Sequence, residues 1–321
     1  MNKILSALIV LIIGCKISFS QVVVTNPTNT TPNLAATYTS LANAITDLNS
    51  ITAISGPVTI TLQASNAQTA PIGGYAIQFT ATTTATNTIT IQGSNNTITA
   101  FTPQAAGSLN DAVFKIIGAD YVTIADFIIQ ENAANTNNVA ATNNMTEFGI
   151  ALLRSSATNG AKHNIITNNV ISLNRSYRNT FGIYSNVRHS ATDVTTASEI
   201  INSSGSNSGN KIFANVITNV DFGVVLVGAA TTAFMDEENK IGESNDTSGN
   251  TITNWGGNSN TLSSYVDVTT DSYAIFSNHQ VRDEIFYNTI TSAAVNGSSF
   301  NVGGILKDYT SGQPCKSHII R

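Results

Sequence analysis

Residues 162–174 read KHNIITNNVISLN, and within them Ile166-Thr167-Asn168-Asn169-Val170-Ile171 sets an amide between two branched apolar side chains. The pattern Ile-x-x-Asn-x-Ile returns as IFANVI over 212–217 and as IFYNTI over 285–290. Its shorter form, Asn-x-Ile, stands at 96–98 and 250–252. A second set alternates with it: Phe148-Gly149-Ile150, Phe181-Gly182-Ile183 and Phe222-Gly223-Val224, with weaker echoes at Tyr273-Ala274-Ile275 and Gly303-Gly304-Ile305. Around these units the chemistry is that of strands. Val58, Ile60 and Leu62 alternate with threonines, and Ile89, Ile91, Val122 and Ile124 keep the same period of two.

The spacing of the Phe-Gly units and their echoes drifts between roughly 30 and 50 residues along the chain, too variable for leucine-rich, ankyrin or propeller repeats. A solenoid of parallel strands tolerates such drift. Each strand pairs with its equivalent one turn later, about 4.8 Å away, while the connections bulge outward. The extra length falls in stretches 187–209, 231–249 and 255–271, which are expected to project from the side. An antiparallel sandwich would need a hairpin turn every 8–12 residues or so, and Asn-Gly turns occur here at Asn159-Gly160 and Asn296-Gly297 alone.

The fold expectation is therefore an all-β parallel solenoid over 57–321, following a lead-in over 21–56. Ile166 and Ile171 point into its interior on adjacent strands, and Asn169 takes the left-handed bend between them. Asn169, Asn215 and Asn288 then stack as an amide ladder. The glycines of the second set mark close backbone approach, and Phe148, Phe181 and Phe222 join the core. Within the lead-in, Leu41, Ala44, Ile45 and Leu48 recur at helical spacing behind Thr39 and Ser40, two suitable N-caps.

Composition narrows the function classes. The chain is 41% hydrophobic but 10% charged, where a typical domain is nearer a quarter charged. Periodic apolar residues at that level bury a core, which a disordered chain does not do. Net charge is −5, with no Lys/Arg run, so a nucleic-acid partner lacks its electrostatic footprint. At the start, Met1-Asn2-Lys3 precedes an apolar run over 4–13, and Ser18-Phe19-Ser20 offers a cleavage site before Gln21. This reads as a signal peptide over 1–20. A second reading takes Ile12-Ile13-Gly14-Cys15 as a lipobox with a lipid anchor on Cys15. Cys315 is the other cysteine, so no disulfide framework is expected.

The signal segment, the early helix and the Asn-x-Ile strands resemble the secreted right-handed parallel β-helix proteins of the pectin-lyase-like superfamily, in the form found in large Bacteroidetes surface proteins. The likeness runs from about residue 37 to the end and concerns shape, not chemistry. It implies that the helix caps the first coil and hides an unpaired edge. Lys316-Ser317-His318-Ile319-Ile320 parallels His163-Asn164-Ile165-Ile166, which points to a chain stopping inside a rung, as a fragment of a longer protein would.

The chemistry is less legible. Polygalacturonases of this superfamily carry Asn-Thr-Asp, Asp-Asp, Gly-His-Gly and Arg-Ile-Lys segments, and this sequence has none. Asp236-Glu237-Glu238 is the densest carboxylate group. Neighbours on a strand face opposite ways, so it reads as a solvated loop. A lyase would need cations around an acidic sugar, and Arg154, Lys162, Arg175, Arg178, Arg188 and His189 form the candidate basic cluster. Tyr177, Tyr184, Trp255 and Tyr265 are candidate stacking surfaces for sugars. His163, His189, His279 and His318 have no partner at ligand spacing, so no metal or cofactor is expected. Two functions follow. One is a noncatalytic extracellular module, structural, adhesin-like or glycan-binding, acting as a monomer within a longer chain. The other is a polysaccharide lyase or glycoside hydrolase acting on acidic glycans.

Overall fold

A computed structural model describes residues 20–107, 109, 111–139, 141–190, 200–243, 248–257, 268, 271–291 and 302–308. The expectations for the signal segment, Cys15, Asn296-Gly297, Tyr265, Cys315, His318 and the last six residues lie outside them.

The described chain is almost wholly β, in two long sheets of parallel strands. Face A stacks Val58–Leu62, the first half of Ile89–Thr99, the first half of Val122–Gln130, Ile165–Thr167, Lys211–Phe213, Lys240–Ile241 and Glu284–Ile285. Face B stacks Gln68–Thr69, the second halves of the same two long strands, Val170–Ser172, Val216–Val220, Thr251–Trp255 and Thr289–Thr291. Faces A and B are limbs of one 14-stranded sheet. Face C is a seven-stranded sheet running from Tyr75–Ile77 through Ala112–Ile117, Phe148–Arg154, Phe181–Ser190, Phe222–Val227 and Ser272–Asn278 to Val302–Asp308. The chain visits A, B and C in turn and returns to A one strand further on, an order compatible with a solenoid.

Register follows the sequence repeat. Ile60, Ile91, Ile124, Ile166, Ile212 and Ile241 pair in succession on face A. Ile98, Ile129, Ile171, Ile217 and Ile252 do so on face B. All belong to one core and are essentially inaccessible. Each such side chain is worth about 1.5–3 kcal/mol as an upper bound. A slip by one residue would expose the whole column.

At the bend between A and B, Asn169, Asn215, Asn250 and Asn288 stand one above the next. The backbone N–H of each donates to Oδ1 of its successor, at 3.0 Å from Asn169, 3.1 Å from Asn215 and 3.0 Å from Asn250. The side-chain amides also donate to carbonyls of the previous turn: Asn215 Nδ2 to Ile166 O at 2.9 Å and Asn250 Nδ2 to Ile212 O at 2.9 Å. Phe127 holds the equivalent position one turn before Asn169 and interrupts the amides there, although its N–H still reaches Asn169 Oδ1 at 3.1 Å. The expected left-handed bend belongs to the preceding residue instead: φ is 55° at Asn168, 54° at Ala214 and 48° at Tyr287. The turn residue takes the strain, which leaves the ladder amide free to bond along the stack.

A second column lies where face A begins. Asn164 N–H donates to Asn210 Oδ1 at 2.9 Å, and Asn210 N–H to Asn239 Oδ1 at 2.8 Å. Again the preceding residues are left-handed: His163, Gly209 and Glu238.

The Phe-Gly units sit on face C, and their phenylalanines are buried in a core stack as expected. Phe148, Phe181 and Phe222 are buried and stack with ring centroids 5.4 and 5.1 Å apart. However, they belong to a separate apolar cluster with Tyr184, Val225 and Val268, while Ile150, Ile183 and Val224 enter the main core. The side-chain alternation breaks at the glycine, which itself lies against the core.

Of the stretches expected to project, the described parts of 187–209 and 231–249 fold back, and most of 255–271 lies outside the described residues. Within 187–209, Ile200 and Asn207 are buried, and 231–249 contributes buried Met235 and Asp236 and the face A strand Lys240–Ile241.

The lead-in closes the first turn. Val22–Thr25 runs antiparallel along Val58–Leu62, a strand inside the segment that the sequence marks only as a lead-in. Helix α1 (Leu41–Leu48) is capped by Ser40, whose Oγ accepts the Asn43 N–H at 3.2 Å, and it buries Leu41, Ala44, Ile45 and Leu48. Asn49 follows, donating to Ala76 O and accepting from Gln78 N–H, both at 2.8 Å. Its amide thereby satisfies the free edge of face C.

Candidate functional site

The six residues of the basic cluster occupy different connections. Arg154 ends the strand Phe148–Arg154, and its Nε donates to Val187 O at 2.6 Å. Opposite it, pairing jumps from Asn186 to Ser190, so residues 187–189 form a bulge. The bulge carries Arg188, whose N–H donates to Asn186 Oδ1 at 2.8 Å. It also folds His189 inward, fully buried against Phe148 and Tyr184 with centroids 5.7 and 5.5 Å away. Arg175 and Arg178 lie in the connection from face B into Phe181–Ser190, and Arg175 Nη1 donates to Gly256 O at 3.1 Å. Lys162 lies in the connection from face C to face A, where its N–H donates to Asp120 Oδ1 at 2.7 Å. Arg154 is therefore tied to the bulge that carries Arg188 and His189, and the other three are held by other parts of the chain.

The aromatic candidates among the described residues, Tyr177, Tyr184 and Trp255, are interior, which corrects the reading of them as exposed platforms. Tyr177 and Trp255 are 2% exposed and Tyr184 not at all. Tyr177 Oη accepts from Asn143 Nδ2 at 2.8 Å, and Tyr184 Oη from Asn186 Nδ2 at 2.9 Å. Trp255 packs in the main core. Aromatic strand residues gain more from burial than exposed rings gain from solvent, and the connections folded over face C supply the cover.

Sequence reasoning missed the acid column at the entry to face C. Asp111, Glu147 and Asp221 each directly precede a face C strand, and register aligns them with Thr180 and Ser272. The signal was present as an acid before Phe in Glu147-Phe148-Gly149 and Asp221-Phe222-Gly223. Asp111 N–H donates to Glu147 Oε2 at 3.0 Å, and Ser272 Oγ to Asp221 Oδ1 at 2.8 Å. Glu131 joins from the connection, accepting the Thr146 N–H at 2.7 Å and its hydroxyl at 2.8 Å.

Burial pushes the Asp111 carboxyl up to about 6, against the Ala105 N–H and the Lys115 charge, which pull it down. Burial lowers Lys115, and Asp111 and Glu147 counter it. Perturbed groups of this kind often mark function. Here Asp111, Lys115 and Glu147 are 4%, 8% and 1% exposed, and the two acids bond each other's strands. A glycosidase pair must instead flank a sugar. The cluster serves as an internal polar joint between turns.

Asp236 corrects the solvated-loop reading. It is fully buried, accepts the Asn207 N–H at 2.8 Å and is approached by Gln280 Nε2 at 3.4 Å. Burial raises its carboxyl to about 7, with those two donors opposing. Glu237 and Glu238 point outward and pair with Arg282.

Among the described residues no group of three or more His, Cys, Asp or Glu is placed to hold a metal ion. A cavity of about 440 Å³ is lined by Ile285, Tyr287, Asn288, Ile290 and Ile305. These residues belong to the last described turn. No protein-family model, curated protein or solved structure matches this chain.

Proposed function

We propose that the chain winds as a right-handed parallel β-helix of the pectin-lyase-like kind and works as a noncatalytic extracellular module of a larger secreted or cell-surface protein. Right-handedness follows from the general rule for crossovers between parallel strands. In this reading residues 1–20 direct export, and the module acts as a structural or adhesin-like spacer that can hold polysaccharide. The observation that carries it is the use made of the ionisable groups. Asp111, Lys115, Glu147, Asp236 and His189 are all buried within the joints between turns, where they have no room to work on a sugar chain.

The competing reading, a polysaccharide lyase, would rest on Arg154 and the bulge that carries Arg188 and His189. Incubation with uronic-acid polymers, following absorbance of the unsaturated product, tests it, alongside a reducing-end assay for hydrolysis. The module reading expects neither signal. Turnover that disappears in Arg188→Ala while the melting temperature holds would replace it with the lyase.

A further inference from the structure

The outward surface of face B differs from the rest of the molecule. One outward row runs Thr97, Ile128, Val170, Val216, Thr251, Thr289, each residue paired in register with the next. The second row, two residues on, is Thr99, Gln130, Ser172, Thr218, Thr253, Thr291. None of these side chains is buried, and Val170 and Val216 are 38% and 40% exposed. Face C, by contrast, is covered by its own connections. Neither row contains a charge or an aromatic ring, whereas the outward row of face A ends in Lys211, Lys240 and Glu284.

The two rows make a lattice. Neighbouring strands set one repeat at about 4.8 Å, and alternate residues along a strand set the other at roughly 6.6 Å. Threonine and valine are stiff at χ1, so the lattice is rigid. Neighbouring hydroxyls are in register as well, with Thr253 Oγ1 donating to Thr218 Oγ1 at 3.2 Å. All positions but two offer a methyl group with or without a hydroxyl; Ser172 offers a hydroxyl alone and Gln130 an amide. One such group binds a soluble molecule no better than water does. Affinity accumulates only over many simultaneous contacts, which requires a partner with its own two-dimensional repeat. Crystalline polysaccharide is ordinarily gripped through ring stacking, and these rows have no ring to offer. Ice presents planes of oxygens whose spacings lie near both repeats, carries no net charge, and can accept the hydroxyls into its lattice while water orders around the methyls.

We propose that this face of the protein binds ice. The proposal goes beyond the module reading and does not depend on glycan binding.

The test uses the full chain, adsorbed to slowly grown ice and assayed for inhibition of ice recrystallisation. Wild type is expected to enter the ice and slow recrystallisation. Val216→Lys and Thr251→Lys, exposed changes that should leave the melting temperature unaltered, are expected to weaken the effect by about tenfold or more through loss of the shared contacts. Thr90→Lys, on face A, should leave it intact. Exclusion of wild type from ice would overturn the proposal. So would equal losses in Thr90→Lys and Val216→Lys, or sedimentation with microcrystalline cellulose in the absence of any ice effect.

Discussion

Gly182 and Ile217 compete for one space: a Cβ built on Gly182 would lie 2.4 Å from Cγ2 of Ile217, one turn further along. The same relation joins Gly149 to Ile171 at 2.6 Å and Gly223 to Ile252 at 2.7 Å. The two sequence repeats are therefore halves of one device. In these three pairs the isoleucine of an Asn-x-Ile unit fills the volume left by the glycine of the Phe-Gly unit one turn before it.

Gly182→Ala should accordingly destabilise the fold by about 1–3 kcal/mol through overpacking, read as a lower denaturation midpoint at unchanged m-value. Adding Ile217→Ala should recover part of the packing strain. Recovery stays incomplete, because Gly223 O lies 2.7 Å from the same Cβ position and a carbonyl in a ladder cannot yield. Additive losses in the double variant would rule out this contact.

Asn215→Ala removes the acceptor or donor of several buried groups, among them the carbonyls of Ile166 and Phe213. Leaving such groups unsatisfied costs about 1–3 kcal/mol each, so chemical denaturation should show one of the larger losses among single surface-neutral substitutions. The fold does survive Phe127 at an equivalent position. There a large ring packs 5.0 Å from Phe114, a compensation that alanine lacks. An Asn215→Ala protein as stable as wild type would remove the ladder from the account.

Asp236 links stability to pH. Its carboxyl is raised to about 7 in the folded protein from an ordinary value of 3.8, so the folded state holds the proton more tightly. The stabilisation is full below about pH 4 and is lost as pH rises through 7. Asp111, raised to about 6, adds the same trend over a narrower window. Asp236→Asn, which mimics the protonated group, should flatten the fall in melting temperature between about pH 4 and 7. An unchanged slope in that variant would show that Asp236 titrates normally.

Much of this was legible, for physical reasons that differ by residue. A ladder needs one side-chain type at one backbone position, so the Asn-x-Ile spacing marks Asn169, Asn215 and Asn288 directly. Asn250 was visible as an Asn-x-Ile unit but not as a rung, because residues 242–249 separate it from Ile241. The second column escaped for the opposite reason. Asn164, Asn210 and Asn239 carry the same Asn-x-Ile signal, yet Asn164 and Asn210 lie so close to Asn169 and Asn215 that the two columns read as one motif. Phe148 was legible as a core residue, but that it faces away from Ile150 was not, since alternation breaks at Gly149 and no sequence pattern announces the break. Tyr177, Tyr184 and His189 look like surface residues because what buries them is irregular chain crossing face C, which has no period. The face B lattice was hidden in plain composition: Thr-Ile-Thr at 97–99, 251–253 and 289–291 reads as ordinary strand until register aligns its outward rows.

Parallel stacking in register, on which every relation above depends, is tested most directly by disulfide trapping across turns. Val170 and Val216 are direct neighbours on face B although 46 residues apart in sequence, and Val170 and Thr251 lie two strands apart. Neighbouring strands separate Cα atoms by about 4.8 Å, inside the range a disulfide spans, and the two-strand distance is outside it. With the native cysteines replaced by serine, the pair Val170→Cys/Val216→Cys should oxidise readily to a closed loop seen by gel shift and peptide mass, and Val170→Cys/Thr251→Cys should stay reduced. Closure of the second pair in preference to the first would contradict the parallel, in-register coil.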